Sequence, residues 1–262
     1  MIDKKSFTVH TLKAALWAIV FAVIQVTIAF LVAPVYLKIT GQSIEKLNEA
    51  SELIYVVYIV EALVATSLYF SFKDKVKDTR IIKKKEYPIE FLIPYGLLLN
   101  FVFSLILSFI PEGLIEKLNY NVSYDDFNST NIFLVVIAVG ICVPIAEEIF
   151  FRFLVFNNLT KAYNGLYACL GSAILFGLLH GNFIQAVYSG LIGFCLGREY
   201  FLSGARLMVP IIIHCAVNCY TVIISNLVKQ ENVLIVQILT VILSWVISDI
   251  VYKRRNKKLL TT

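Results

Sequence analysis

Seven residues of this chain have the types and spacing to do chemistry together: Glu147, Glu148, Arg152, Phe176, His180, His214 and Asn218. A carboxylate beside imidazoles can take and return protons, and amide or imidazole donors can hold a developing oxyanion. One Glu and two His also form a donor set used by zinc hydrolases, so Glu147, His180 and His214 are at the same time a candidate metal set. The chain has three histidines, and two of them fall inside apolar stretches.

Helical geometry sorts these residues. Side chains four apart share a face, and adjacent ones do not. Glu148 and Arg152 stand at i,i+4 with the acid first, the favourable order for an ion pair. That pairing neutralises Glu148 and leaves Glu147, about 100° round the helix, to face something else. Phe176 and His180 repeat the spacing, so the ring can restrict the imidazole. His214 and Asn218 repeat it again and put two polar tips on one face. Cys215 points off that face, which disfavours a Cys–His nucleophile. Pro144 cannot donate to the carbonyl of Gly140, so a kink and a free backbone acceptor are expected beside the carboxylates.

The elements that carry these residues are membrane helices. The 262 residues are 59% hydrophobic and 16% charged, with mean hydropathy +0.79; soluble domains have about 45–50% and about 25%. Runs such as 91–110 and 233–251 approach the ~20 residues that cross about 30 Å of hydrocarbon. Eight spans are expected, near 14–36, 53–72, 91–110, 131–156, 166–180, 184–201, 206–227 and 233–252. The fifth and sixth are short and glycine-rich. The fold class is therefore all-α, a polytopic bundle of about eight transmembrane helices.

Charge orients the bundle, because Lys and Arg collect in cytoplasmic loops. With the N-terminus inside, eighteen basic residues fall in cytoplasmic segments and four, Lys38, Lys46, Lys117 and Lys229, fall outside. Both termini are expected in the cytoplasm, and the protein in the cell membrane. The net charge of +5 then reflects orientation, and the partners are membrane lipid and a peptide or membrane-anchored protein, with no nucleic acid. No cleavable signal peptide is evident, and the first span reads as an uncleaved anchor. The basic loop 73–90 reads as a positive-inside anchor, and Asn121 and Asn128 form formal glycosylation sequons. Cys142, Cys169, Cys195, Cys215 and Cys219 lack a C-x-x-C pair and read as apolar packing residues. The chain divides into three spans over 1–130, a four-span core over 131–227, and a last span with a basic tail over 228–262.

An ionisable group in a span costs about 2.5–3.5 kcal/mol even on the gentler insertion scale and usually marks function. Glu61 reads as paired with a neighbour and Asp249 as paired with Lys253. Counted at 1.5 Å per residue from the cytoplasmic ends, Glu147, His180 and His214 all lie well inside their spans. These depths are compatible with one polar cavity, expected to open to the cytoplasm.

The stretches E-E-x-x-x-R, F-x-x-x-H and H-x-x-x-N resemble the three motifs of the CPBP family, which comprises type II CAAX prenyl proteases and bacteriocin-processing proteins and is also called the Abi family. The stretch G-F-C-L-G-R-E-Y-F-L-S-G-A-R-L-M-V-P before His214 resembles its usual approach to the last motif. The likeness covers about 131–220. It implies an intramembrane endopeptidase of glutamate type facing the cytoplasm. Glu147 and His180 would activate water, His214 and Asn218 would polarise the scissile carbonyl and hold the oxyanion, and Glu148, Arg152 and Phe176 would support the site. No cofactor is implied, with zinc on Glu147, His180 and His214 the competing reading. Substrates in keeping with the family are a peptide pheromone or bacteriocin precursor, a self-immunity target, or a CAAX-type tail. A non-catalytic membrane scaffold or immunity protein is the alternative. A proton-coupled carrier is a third reading, but repeated halves, common in such carriers, are not seen.

Overall fold

A computed structural model describes residues 4–41, 51–76, 88–118 and 131–259. The sequons and most of the basic loop lie outside the described residues. Nine helices follow one another among the described residues: α1 (Lys4–Thr40), α2 (Ser51–Val76), α3 (Leu92–Ser108), α4 (Glu112–Lys117), α5 (Ile132–Leu159), α6 (Gly165–Leu178), α7 (Phe183–Leu202), α8 (Met208–Leu227) and α9 (Val233–Leu259). The chain is an all-helical, multi-pass membrane protein. Six helices, α1, α2, α3, α5, α8 and α9, are long and apolar enough to cross a bilayer. α6 has 14 residues and rises about 21 Å, short of a full crossing, and α7 packs back along it.

Large apolar side chains on the outside fit this setting. Phe30 is 77% exposed and Phe133 75%; in lipid such faces carry no hydrophobic penalty, and association depends on close packing. The α6–α7 pair shows that dependence. A Cβ on Gly177 would lie 2.4 Å from the carbonyl oxygen of Ala186, so only glycine permits this approach.

One end of the bundle is a solid aromatic core. Phe150, Phe151, Leu154, Val155 and Phe156 of α5 are fully buried, packed with Ala14, Ala18 and Phe21 of α1 and Tyr200 of α7. Contacts identify the segments gathered there. Phe7 stacks edge-on against Tyr163 at 4.8 Å, Trp17 meets Phe72, and Phe156 meets Tyr200. Arg255 pairs with Glu90 at 2.8 Å. The opposite end holds the α1–α2 contact of Tyr36 with Glu52 and the bond from Asn182 to the carbonyl of Leu118. Asp249 pairs with Lys253 at 2.6 Å, as the spacing predicts.

α5 is not a uniform α-helix. Residues Val136–Cys142 and Ile149–Phe156 are wound as π-helix on either side of Val143–Glu148. Such widened turns are rare and gather at functional sites. The winding moves the acceptor expected at Gly140. In π register, Pro144 faces the carbonyl of Val139, five residues back, and cannot donate to it. Asn218 fills the gap, its Nδ2 donating to Val139 O at 3.1 Å. The acceptor met by a side chain is thus one residue earlier than α-helical spacing predicts.

Candidate active site

Glu147 and Glu148 part company at the end of the short α segment. Glu148 turns into the protein and is fully buried. Arg152, also fully buried, grips it with two nitrogens, Nε to Oε2 at 2.8 Å and Nη2 to Oε1 at 3.3 Å. The second guanidinium arm donates from Nη1 to Ser172 Oγ at 3.1 Å, and Ser172 donates to the carbonyl of Phe151 at 2.8 Å. A buried charge left without such a counter-ion would be strongly destabilising. The i,i+4 pair therefore forms as the spacing predicts and is tied to α6 as well.

His214 bridges the two carboxylates. Its Nδ1 lies 2.9 Å from Glu148 Oε1, and its Nε2 lies 3.6 Å from Glu147 Oε2. An ionised carboxylate only accepts, so the proton on this side belongs to Nδ1. His180 is assigned the same way. Its Nδ1 is 2.9 Å from the carbonyl of Phe176, which can only accept, so Nδ1 carries the hydrogen and Nε2 a lone pair. Gly181 follows at φ +68, where a residue without Cβ is at ease, and turns the chain immediately after His180.

Phe176 holds these groups in place. Its ring meets His180 edge-on at 4.8 Å, His214 at 6.0 Å and Phe151 at 5.1 Å, and the Arg152 guanidinium sits 5.3 Å from its centroid. Gly193 of α7 makes the space, since a Cβ there would lie 2.8 Å from the Phe176 ring.

Glu147, Phe176, His180, His214 and Asn218 line one cavity of about 390 Å³. Glu148 and Arg152 stand behind its wall. All seven residues expected from the sequence are thus gathered around one space, four on the wall with a ring to brace them and two as a buried support. His214 and Asn218 have different partners: the first contacts the two carboxylates and the second donates to a backbone carbonyl.

The wall also includes residues that sequence reasoning missed. Phe21 and Gln25 come from α1, Tyr58 from α2, and Asn100 and Ser104 from α3, all within the part of the chain that reads as generic hydrophobicity. Asn100 donates to Thr221 Oγ1 at 2.6 Å and to Val217 O at 3.2 Å, and Gln237 of α9 donates to Asn100 Oδ1 at 3.2 Å. A lone amide in an apolar span was the available signal, because an unpaired polar group is costly there. Glu61, 2% exposed, has Gln25 Nε2 3.5 Å from its Oε2, a weak form of the expected pairing.

The donors do not fit a metal as they stand. Among the described residues, no three His, Cys, Asp or Glu side chains are grouped closely enough to hold an ion. Glu147 Oε2 and His214 Nε2 stand 3.6 Å apart, a spacing that two ligands of one zinc ion could have, but no third such side chain joins them among the described residues.

Residues 129–220 match the family model of type II CAAX prenyl endopeptidases, Rce1-like, which bears out the resemblance carried by the three motifs. Two curated relatives are similar. YdiL of Bacillus subtilis strain 168, whose name calls it a putative membrane peptidase, is 31% identical over 104 residues, 38% of this chain and 42% of YdiL. The membrane-embedded CAAX protease MroQ of Staphylococcus aureus strain USA300 is 27% identical over 194 residues, 68% of this chain and 77% of MroQ. The chain thus spans less than half the length of YdiL in that match. No solved structure matches the chain significantly.

Proposed function

We propose that the chain is an intramembrane endopeptidase that hydrolyses a peptide bond with water activated by Glu147 and His180. The observation that carries this reading is the convergence of Glu147, His180, His214 and Asn218 on one cavity, with their orientations set by partners behind them. Peptide hydrolysis without a Ser or Cys nucleophile needs a base for water and donors for the oxyanion. Both are at hand here.

Water held between the Glu147 carboxylate and the lone pair of His180 Nε2 gives up a proton to one of them as its oxygen attacks the scissile carbonyl carbon. The carbonyl π pair moves onto oxygen. Asn218 has a second N–H beside the one spent on Val139, and His214, entering the cycle with a hydrogen on both ring nitrogens, presents Nε2–H; these are the donors for the oxyanion. The proton that Glu147 or His180 took from water then passes to the leaving amine as the carbonyl re-forms and the C–N bond breaks. No step needs a metal ion. Glu148 and Arg152 take no proton in this scheme and keep His214 in position.

The substrate class is a peptide or a membrane-anchored protein. The name of MroQ supports CAAX-type processing for that relative, and maturation of a peptide pheromone or bacteriocin, or self-immunity, suits the same chemistry. The test is to express wild type and Glu147→Ala at matched levels in a deletion strain and compare membrane and secreted peptides by mass spectrometry. Discrete termini seen only with wild type are expected. Identical peptide profiles, with the variant rescuing whatever the deletion loses, would make the chain a non-catalytic scaffold.

A further inference from the structure

Glu61 is a buried acid for which the proposed reaction has no use. It lies in the middle of α2 and is 2% exposed. Its Oε1 is buried with no hydrogen-bond partner among the described residues. Its Oε2 has Gln25 Nε2 of α1 at 3.5 Å, and among those residues no Lys, Arg or His pairs with it. Glu148, by contrast, is gripped by Arg152. An acid in a membrane span costs more than one long hydrogen bond returns. As a structural clasp between α1 and α2 the pair is a poor one, and apolar side chains would hold the helices at least as well.

The position of the pair is more telling. Gln25 lines the catalytic cavity together with Phe21, which stands four residues earlier on the same face of α1. The Phe21 ring is packed against Phe150 at 4.7 Å and Phe151 at 5.5 Å. Tyr58 lines the cavity as well, three residues before Glu61 on one face of α2. α2 packs against the Val143–Glu148 segment that carries Glu147. Glu61 thus stands behind Gln25 as Glu148 stands behind His214, a buried acid holding a cavity-wall side chain from the rear. A glutamine amide has two N–H hydrogens and an acceptor oxygen. One hydrogen is directed at Glu61, and among the described residues the other hydrogen and the oxygen have no protein partner. They match the C=O and N–H of a peptide group.

We propose that Gln25 binds the main chain of the substrate and that Glu61 is the positioning residue that aims it. The chemistry recognised on this wall is a peptide group and not a side chain. The buried acid lowers stability and serves binding. This rests on the peptidase reading and adds to it a wall residue that touches the substrate and takes no proton.

The test uses the full chain in detergent and a synthetic peptide spanning the cut found by the mass-spectrometric comparison. Gln25→Leu is expected to raise KM about tenfold with kcat within about twofold of the parent, since a contact made alike in ground and transition states has been removed. Glu61→Leu should raise KM in the same direction while its thermal midpoint stays level or rises, because a buried acid has given way to an apolar side chain. Glu61→Gln keeps an oxygen to accept from Gln25 and should return KM most of the way to the parent value. Glu61→Leu added to Gln25→Leu should raise KM no further, the coupling expected of a residue that acts through another. The Gln25→Leu effect should persist in peptides whose flanking residues are changed one at a time to Ala. Its loss in one of them would assign Gln25 to that side chain and overturn the main-chain reading. Gln25→Met, of similar length, replaces Gln25→Leu if the latter fails to accumulate. A Glu61→Leu with parental KM overturns the inference, and so does one that unfolds or loses midpoint, which would make Glu61 a structural residue. Additive effects in the double variant, or a Gln25→Leu that lowers kcat alone, also overturn it. A parent that cleaves no peptide fails the peptidase reading; a parent that cleaves while the variants match it fails this inference alone.

Discussion

The Nδ1 atom of His214 lies 2.9 Å from Oε1 of Glu148, and that contact determines which nitrogen of the ring is presented to Glu147. Partners behind a histidine commonly set its tautomer in this way. Glu148 is in turn gripped by Arg152, so three residues of the motifs form one rigid support across α5 and α8.

Removing Arg152 tests that support. Arg152→Ala leaves the Glu148 carboxylate buried without its counter-ion and is expected to cost about 3–5 kcal/mol, read as a lower thermal midpoint in detergent. Glu148→Gln combined with Arg152→Gln removes both charges and should recover much of the midpoint. A single variant as stable as wild type would mean that the pair does not bear on folding.

At Gly140, α5 and α8 approach each other closely beside the site. A Cβ there would lie 2.6 Å from Cys219 Sγ and 3.3 Å from its Cα. Gly140→Ala should destabilise by about 1–3 kcal/mol through overpacking and disturb the neighbouring Asn218–Val139 bond. Adding Cys219→Ala removes the nearer atom and should restore part of both stability and cleavage. No recovery in the double variant would place the strain elsewhere.

Pro144→Ala introduces an N–H that competes with Asn218 for the α5 carbonyls. Cleavage should fall while the thermal midpoint stays level or rises, since a helix-breaking residue has been removed. A variant that loses stability and keeps full activity contradicts the role given to the π turn.

The absence of a third grouped donor among the described residues predicts insensitivity to metal removal. Purified protein treated with a strong zinc chelator and exchanged into metal-free buffer should keep its full cleavage rate. Loss of activity that zinc restores would require His180 to join Glu147 and His214 around an ion.

Local relationships were legible in the sequence. The Glu148–Arg152 and Asp249–Lys253 pairs and the Phe176–His180 contact all follow from i,i+4 spacing, which one helix determines by itself. The relationships that were not legible depend on two or more helices. His214 meets two carboxylates on α5, a contact that the spacing along α8 does not show. The π register around Pro144 is completed by an amide from another helix. Gln25, Tyr58, Asn100 and Ser104 are isolated polar residues in apolar runs, and nothing in their own segments says which way they face.

The central claim is that Glu147 activates the water that cuts a peptide bond. The most direct measurement is a single-turnover cleavage rate for purified wild type and Glu147→Gln in detergent, on a substrate identified from the peptide comparison, with both proteins at matched thermal midpoints. The account predicts a fall of about 10²–10⁴-fold or more, the usual contribution of a general base, and unchanged substrate binding. A Glu147→Gln variant that cleaves at the wild-type rate would contradict it.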